Sequence, residues 1–328
     1  MKLFSKILCI LGLIGATAIG SAQAQSTSAK DFPDRSVKFI VPFPPGGAAD
    51  VFARLVAQKL TDKWKQTVLV ENKPGAGGRI ATQYVATAPA DGYTFLVVTV
   101  GHAVNPSLYN NLPYKTEQDF KTVAMLADLP SMLVVNNELP VSNVKELIAL
   151  AKAQPGKLTY ASSGNATTSH VAAAMLASAE NVDLVHIPYK GSAPAITDMI
   201  SGRVNIMIDP IATALPHVKS GKLKALAVST PNRSPLVPEL PTIAESGVPG
   251  YDFSAWFLLL APSGVPNNLV SKVNADIAEA MKDPELLKTY ETRGAQAGSG
   301  SPESLSKFLT NEIKRFATLV EKTGMKAE

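Results

Sequence analysis

Ser36-Val-Lys-Phe-Ile-Val-Pro42 runs directly into Phe43-Pro-Pro-Gly-Gly-Ala-Ala-Asp50. The first piece is an apolar run of strand length and the second a proline-glycine loop. Val51, Phe52, Leu55, Val56 and Leu60 then mark one face of a helix. The same order returns in Gln66-Thr-Val-Leu-Val-Glu71, the loop Lys73-Pro-Gly-Ala-Gly-Gly78, and a helix opening near Arg79-Ile80. After the turn signal Asp91-Gly92, Tyr93 to Thr99 reads as a third strand. It runs into Gly101-His-Ala-Val-Asn-Pro-Ser107, which reads as another small polar loop. Strand, loop and helix repeated in this way predict βα units on a parallel sheet. Ligands on such sheets collect at the carboxyl ends of the strands, where these loops lie.

Farther along, Val123 to Val135 is mostly apolar but interrupted by Asp128-Leu-Pro130, long for one strand in one sheet, and reads as a crossing between domains. Asn143 with Glu146 has capping-box spacing. Leu158 to Ala161 is a strand that delivers Ser162-Ser-Gly-Asn-Ala-Thr-Thr-Ser169-His170, and a helix follows from about Thr168 to Glu180. Leu184 to Pro188 and Val204 to Ile208 read as strands; Tyr189-Lys-Gly-Ser192 leads into a helix, and Asp209-Pro210 into a short one ending at Gly221. Leu223 to Ser229 is a further strand, and Ala255 to Ala261 is the return crossing. Helices opened near Asn267, by Asp283-Pro284 and by Ser301-Pro302 finish the chain. The organisation is one α/β lobe, 25–126 with 253–328, into which a second, 127–252, is inserted.

The N-terminus has a processing signature: Lys2 and Lys6, an apolar run from Ile7 to Gly20, and Ala22-Gln23-Ala24 as a small-x-small cleavage site. Residues 1–24 therefore read as a signal peptide, and the mature chain as a periplasmic protein of about 304 residues, enough for two domains. The one cysteine, Cys9, leaves with that segment, which excludes disulfides, thiolate catalysis and cysteine metal sites. Loss of Lys2 and Lys6 lowers Lys+Arg from 31 to 29 against 27 Asp+Glu. The remaining charges are scattered without a basic run, so nucleic acid is not expected as a partner.

Neither glycine loop has the G-x-G-x-x-G spacing or a following Walker lysine, so no nucleotide cofactor is expected. Backbone amides at helix starts, with glycines that allow close approach, suit a carboxylate or another small oxyanion. In the stretch from Ser162 to Ser169, Ser162, Ser163, Asn165, Thr167, Thr168 and Ser169 offer hydroxyls and an amide to such a guest. The same stretch is equally an ordinary Ser/Thr-capped helix start. Arg79 either pairs with a ligand carboxylate or is a solvated first-turn arginine. Asp209, ending an apolar strand, either points at the ligand crevice or caps the next helix. In the crevice it repels a bare carboxylate and accepts from a hydroxyl, ammonium or water. Asp50 is a helix-dipole partner. Among the four histidines, His102, His170, His186 and His217, no pair has metal-ligand helical spacing. Ser163 precedes Gly164 but lacks G-x-S-x-G.

The runs Val41-Pro-Phe-Pro-Pro-Gly-Gly-Ala-Ala-Asp50, Glu71-Asn-Lys-Pro-Gly-Ala-Gly-Gly78, Asp91-Gly-Tyr93, Asn105-Pro-Ser-Leu-Tyr109, Tyr160-Ala-Ser-Ser-Gly164, His186-Ile-Pro-Tyr-Lys-Gly-Ser192 and Leu215-Pro-His217 carry a resemblance. Over the whole mature chain they resemble the Bug family, periplasmic solute-binding proteins of tripartite tricarboxylate transporters. The resemblance implies an α/β, two-lobed periplasmic binding protein (Venus-flytrap) fold: two mixed sheets flanked by helices, with two hinge crossings. It implies a carboxylate ligand, membrane permease subunits as partners, a monomer, and neither catalysis nor a cofactor. By position Phe43, Pro45, Gly46 and Gly47, with Gly75, Ala76, Gly77, Gly78, Arg79 and Gly101, belong to the first-lobe side of the site. Ser162 to Ser169 form the second-lobe side, and Asp209 decides what the far end of the ligand carries. The family often has glycine at Ala166 and asparagine at Arg79. Two rival readings are an exported hydrolase or isomerase using Ser163 or His170, and a sensory binding protein that signals to a kinase ectodomain.

Overall fold

The computed structural model describes residues 32–325. Residues 1–24, expected to be a signal peptide, lie outside the described residues. The first lobe opens with β1 (Val37–Val41), α1 (Ala48–Trp64), β2 (Val68–Asn72), α2 (Arg79–Ala86), β3 (Thr94–Val98) and α3 (Val100–Leu108). A long strand, β4 (Phe120–Val135), leads to α4 (Val144–Ala153), β5 (Thr159–Ser162), α5 (Thr168–Glu180), β6 (Val185–Pro188), α6 (Ser192–Ile200), β7 (Ile206–Pro210), α7 (Ile211–Lys219) and β8 (Lys224–Val228). The chain returns through β9 (Ser254–Pro262) and ends in α8 (Asn267–Ala280), α9 (Pro284–Thr292), β10 (Gln296–Ala297) and α10 (Pro302–Thr323).

β1, β2 and β3 are parallel, and β9 pairs antiparallel with both β3 and β4. β4 is shared between two mixed sheets. Up to Pro130 it pairs with β9, and from Ser131 to Val135 it pairs with β7 on one edge and β8 on the other. β7 continues parallel to β5, and β5 to β6. One unbroken 16-residue strand thus serves both lobes, and Asp128-Leu-Pro130 lies within it rather than breaking it. Its central residues Leu126, Ala127, Leu129, Met132 and Leu133 are buried, which is why the run is mostly apolar.

The capping sites read from sequence form as expected at α4, α9 and α10: Asn143, Asp283 and Ser301 each accept a backbone N–H of their helix's first turn. One element differs. The stretch from Gly101 to Ser107 is not a loop but most of α3, which buries Val100, Ala103, Val104 and Asn105. Gly101 is there for close approach: a Cβ on it would lie 2.8 Å from the Ala166 carbonyl oxygen. Pro106 lies inside α3 and removes one of its backbone hydrogen bonds. Among the described residues no helix is long and apolar enough to cross a membrane.

Candidate functional site

The loop after β1 is held by side chains behind it. Asp50, buried in the first turn of α1, accepts from Gly46 N at 3.0 Å, Arg54 Nε at 3.0 Å and Asn72 Nδ2 at 2.9 Å. Asn72 Nδ2 also donates to Phe43 O at 2.9 Å, so the end of β2 fixes the Phe43–Gly47 loop. Burial raises the Asp50 carboxyl, but these hydrogen bonds and the Arg54 charge outweigh it and hold the group below the ordinary carboxylate range. Gly46, at φ +86°, turns the chain into α1.

The second-lobe stretch is propped from within. Ser162 Oγ meets His186 Nε2 at 2.6 Å and donates to Gly164 O at 3.1 Å. Ser169 Oγ, fully buried, accepts from Ser163 N at 2.9 Å and pairs with Ser163 Oγ at 3.1 Å. Thr167 Oγ1 donates to Gly164 O at 2.6 Å, and Ala166 N donates to His170 Nδ1 at 3.0 Å. His170 and His186 stack with centroids 3.9 Å apart. Burial pushes His170 down to about 3 and His186 to about 4, so both rings are neutral supports. Ala166 holds φ +60°, a left-handed position that accounts for a glycine-favouring site there. The hydroxyl of Ser163 pairs with Ser169 rather than an imidazole, and the His170 acceptor nitrogen is taken by Ala166.

Between the jaws lies a cavity of about 330 Å³, and beside it a second of about 610 Å³. Phe43, Pro45, Gly46, Gly47, Ser163, Thr168 and Asp209 line the first. Gly75, Ala76, Gly77, Gly78, Arg79, Asn165 and Thr167 line the second, with Phe43 and Ser163 common to both. Gly101, Ser162 and Ser169 line neither; Ser162 and Ser169 are buried behind the loop and Gly101 packs on Ala166. Arg79 lies over the Tyr109 ring, 3.8 Å from its centroid, and its Nε donates to Ala76 O at 3.0 Å. Residues that sequence reasoning missed are Lys190, on the walls of both cavities, and Ser192, Thr213, His217 and Phe257 on the first. Lys190 follows Tyr189 and precedes a glycine-serine helix start, and that position was the available signal.

Five helices point their N-termini at the first cavity: α1 through Gly47 and Ala48, α3 through Thr99, α5 through Thr168, α6 through Gly191 and Ser192, and α7 through Pro210. None of the five carries a side-chain cap, whereas α4, α9 and α10, which do, start elsewhere. Uncapped N-termini leave backbone N–H groups and about half a positive charge each for a guest. Asp209 stands among them, 1% exposed, accepting from Ser192 Oγ at 3.0 Å and from Thr213 Oγ1. Burial pushes its carboxyl up to about 6, against the lowering effect of the two hydroxyls. The lobes touch around this cavity. A Cβ on Gly191 would meet Pro44 Cγ at 3.4 Å, and one on Gly77 would meet Asn165 O at 2.8 Å. Among the described residues no group of His, Cys, Asp and Glu could hold a metal ion.

Residues 52–325 match the sequence profile described as the tripartite tricarboxylate transporter family receptor. The chain belongs to this family. BugT of Bordetella pertussis is 36% identical to the receptor over 98% of both chains, in line with the Bug resemblance. Among solved structures, R. palustris Rpa4515 with adipate superposes with a TM-score of 0.87 at 37% identity, covering 90% of this chain and 99% of its own. MatC from Rhodopseudomonas palustris with bound malate has a TM-score of 0.83 at 32% identity, covering 88% of this chain and 100% of its own. The receptor therefore has the two-lobed periplasmic binding protein fold, and its cavity lies between the lobes of that fold.

Proposed function

We propose that this receptor captures a small organic acid in the periplasm and presents it, as a monomer, to the membrane permease subunits of a tripartite transporter, without catalysis. The observation that carries the reading is the set of five uncapped helix N-termini around one interlobe cavity. A carboxylate there receives backbone N–H donors and the positive ends of several helix dipoles. Ser163 and Thr168 add hydroxyls and Lys190 a charge. The adipate and malate held by the two structural relatives are acids of the same kind. The lysines and small-x-small end of 1–24 supply the export signal.

The jaws belong to lobes of 25–126 with 253–328 and of 127–252. Closure is a population shift toward the state in which both lobes bond the anion. Gly75 to Arg79, Asn165 and Thr167 form the adjoining part of the same cleft, and the buried Ser162, Ser169 and Gly101 set the shape of its walls. Thermal-shift and tryptophan-fluorescence titrations with mono-, di- and tricarboxylates, adipate and malate included, test the reading. Saturable stabilisation by at least one acid is expected, and silence across the whole panel would contradict it.

A further inference from the structure

Asp209, Thr213, His217 and Phe257 line only the first cavity, while Ser163 and Lys190 line both. The first cavity therefore has a near end, where the two join, and a far end at Asp209. Ser192 and Thr213 both point their hydroxyls at the Asp209 carboxylate, and Thr213 Oγ1 also lies 2.8 Å from Pro210 O. A hydroxyl has one proton to give. Those of Ser192 and Thr213 are spent on acceptors of the protein, so they turn only lone pairs to the cavity. No ion pair compensates Asp209 among the described residues, and its two protein partners are these hydroxyls. Phe43, Ile196 and Phe257 make the intervening wall apolar.

We propose that this far end selects a hydrogen-bond donor. The ligand is an organic acid with an apolar body, a carboxylate at the near end, and a hydroxyl or ammonium group, rather than a second carboxylate, at Asp209. The inference rests on the carboxylate reading of the cleft. A ligand donor supplies the proton that a buried, ionised acceptor cluster lacks. A second ionised carboxylate meets the like charge of Asp209 and two hydroxyls whose protons are already spent, which sets it at a disadvantage to a donor even beside the N-termini of α6 and α7. Lys190 stands at the near end, and His217 is the other titratable side chain on the far wall.

Four acids of equal chain length make the test: caproate, ε-hydroxycaproate, ε-aminocaproate and adipate, titrated calorimetrically at about pH 8, where Asp209 and the ligand carboxyls are ionised. In the intact receptor the hydroxy and amino acids should bind at least about tenfold more tightly than adipate, and more tightly than caproate. In Asp209→Asn, with its fold checked by thermal melting, adipate should gain and ε-aminocaproate lose about tenfold, while caproate stays within about threefold. Should that variant not fold, the order of the four acids in the intact receptor decides alone. Adipate binding as tightly as ε-hydroxycaproate, or an order unchanged in folded Asp209→Asn, overturns the inference while leaving a carboxylate receptor. If none of the four binds, the inference is overturned, and the wider panel of mono-, di- and tricarboxylates decides the carboxylate reading separately.

Discussion

Gly101→Ala separates lobe closure from local stability. Gly101 lies in the first turn of α3 with ordinary helical geometry, so alanine is no backbone strain there; as a helix residue it is better than glycine by about 1 kcal/mol. The added Cβ would come 2.8 Å from Ala166 O and 3.6 Å from Gly77 O, both backbone atoms that cannot rotate away. The loop must then retreat by several tenths of an ångström, and overpacking of this kind costs about 1–3 kcal/mol. With the lobes bounded as proposed, α3 belongs to one and Ala166 to the other, so the cost falls on the closed state. The expected result is ligand binding weakened by about fivefold to a hundredfold, with the melting temperature of the ligand-free protein unchanged or slightly raised. Calorimetry and thermal melting on the same preparations read both quantities. Unchanged affinity, or a lower ligand-free melting temperature with affinity intact, would refute the assignment of this contact to closure.

Acid should destabilise the receptor. Burial depresses His102 and His186 to about 4 and His170 to about 3, all below the unfolded value near 6.5. The unfolded chain therefore binds more protons below that pH, and this contribution is complete above about pH 6.5 and lost as pH falls toward the folded values. Each fully buried histidine costs about 2 kcal/mol between about pH 7 and 5, and Asp209, raised to about 6, returns about 1 kcal/mol over the same range. With only His102 and His170 counted in full, denaturant titrations should show a net loss of about 3 kcal/mol; equal or greater stability at the lower pH contradicts the neutral buried pair. Asp50→Asn removes the charge that anchors Gly46 and Arg54, and should cost about 2–3 kcal/mol in melting experiments and also weaken ligand binding. An effect on stability with affinity untouched would separate this network from the cleft.

The order of elements was legible because most buried strands are apolar runs followed within a few residues by glycine or proline, and because Asn143, Asp283 and Ser301 announce their helices locally. α3 is hidden in the sequence because Gly101 and Pro106 carry loop signals, whereas both lie inside the helix and Gly101 answers to a close backbone neighbour. The loops were recognisable, but the direction of each side chain within them was not. Ser162 and Ser163 are adjacent and chemically alike. His186, arriving from β6, bonds Ser162 away from the cavity and leaves Ser163 on its wall. Asp50 reads as a dipole partner and Asn72 has no role in the sequence, and only their meeting makes them the support of the first-lobe loop. Lys190 gave only its place before a glycine-serine helix start, a weak signal, since a single lysine before Gly191 becomes part of the site only when α6 is set against Pro44.

The central claim is that backbone donors at converging helix N-termini hold a carboxylate. Calorimetric titration with the tightest-binding acid of the panel and with its methyl ester tests it most directly. The ester keeps the shape and loses the charge, so it should bind at least about a hundredfold more weakly. Equal affinity for acid and ester would contradict the account.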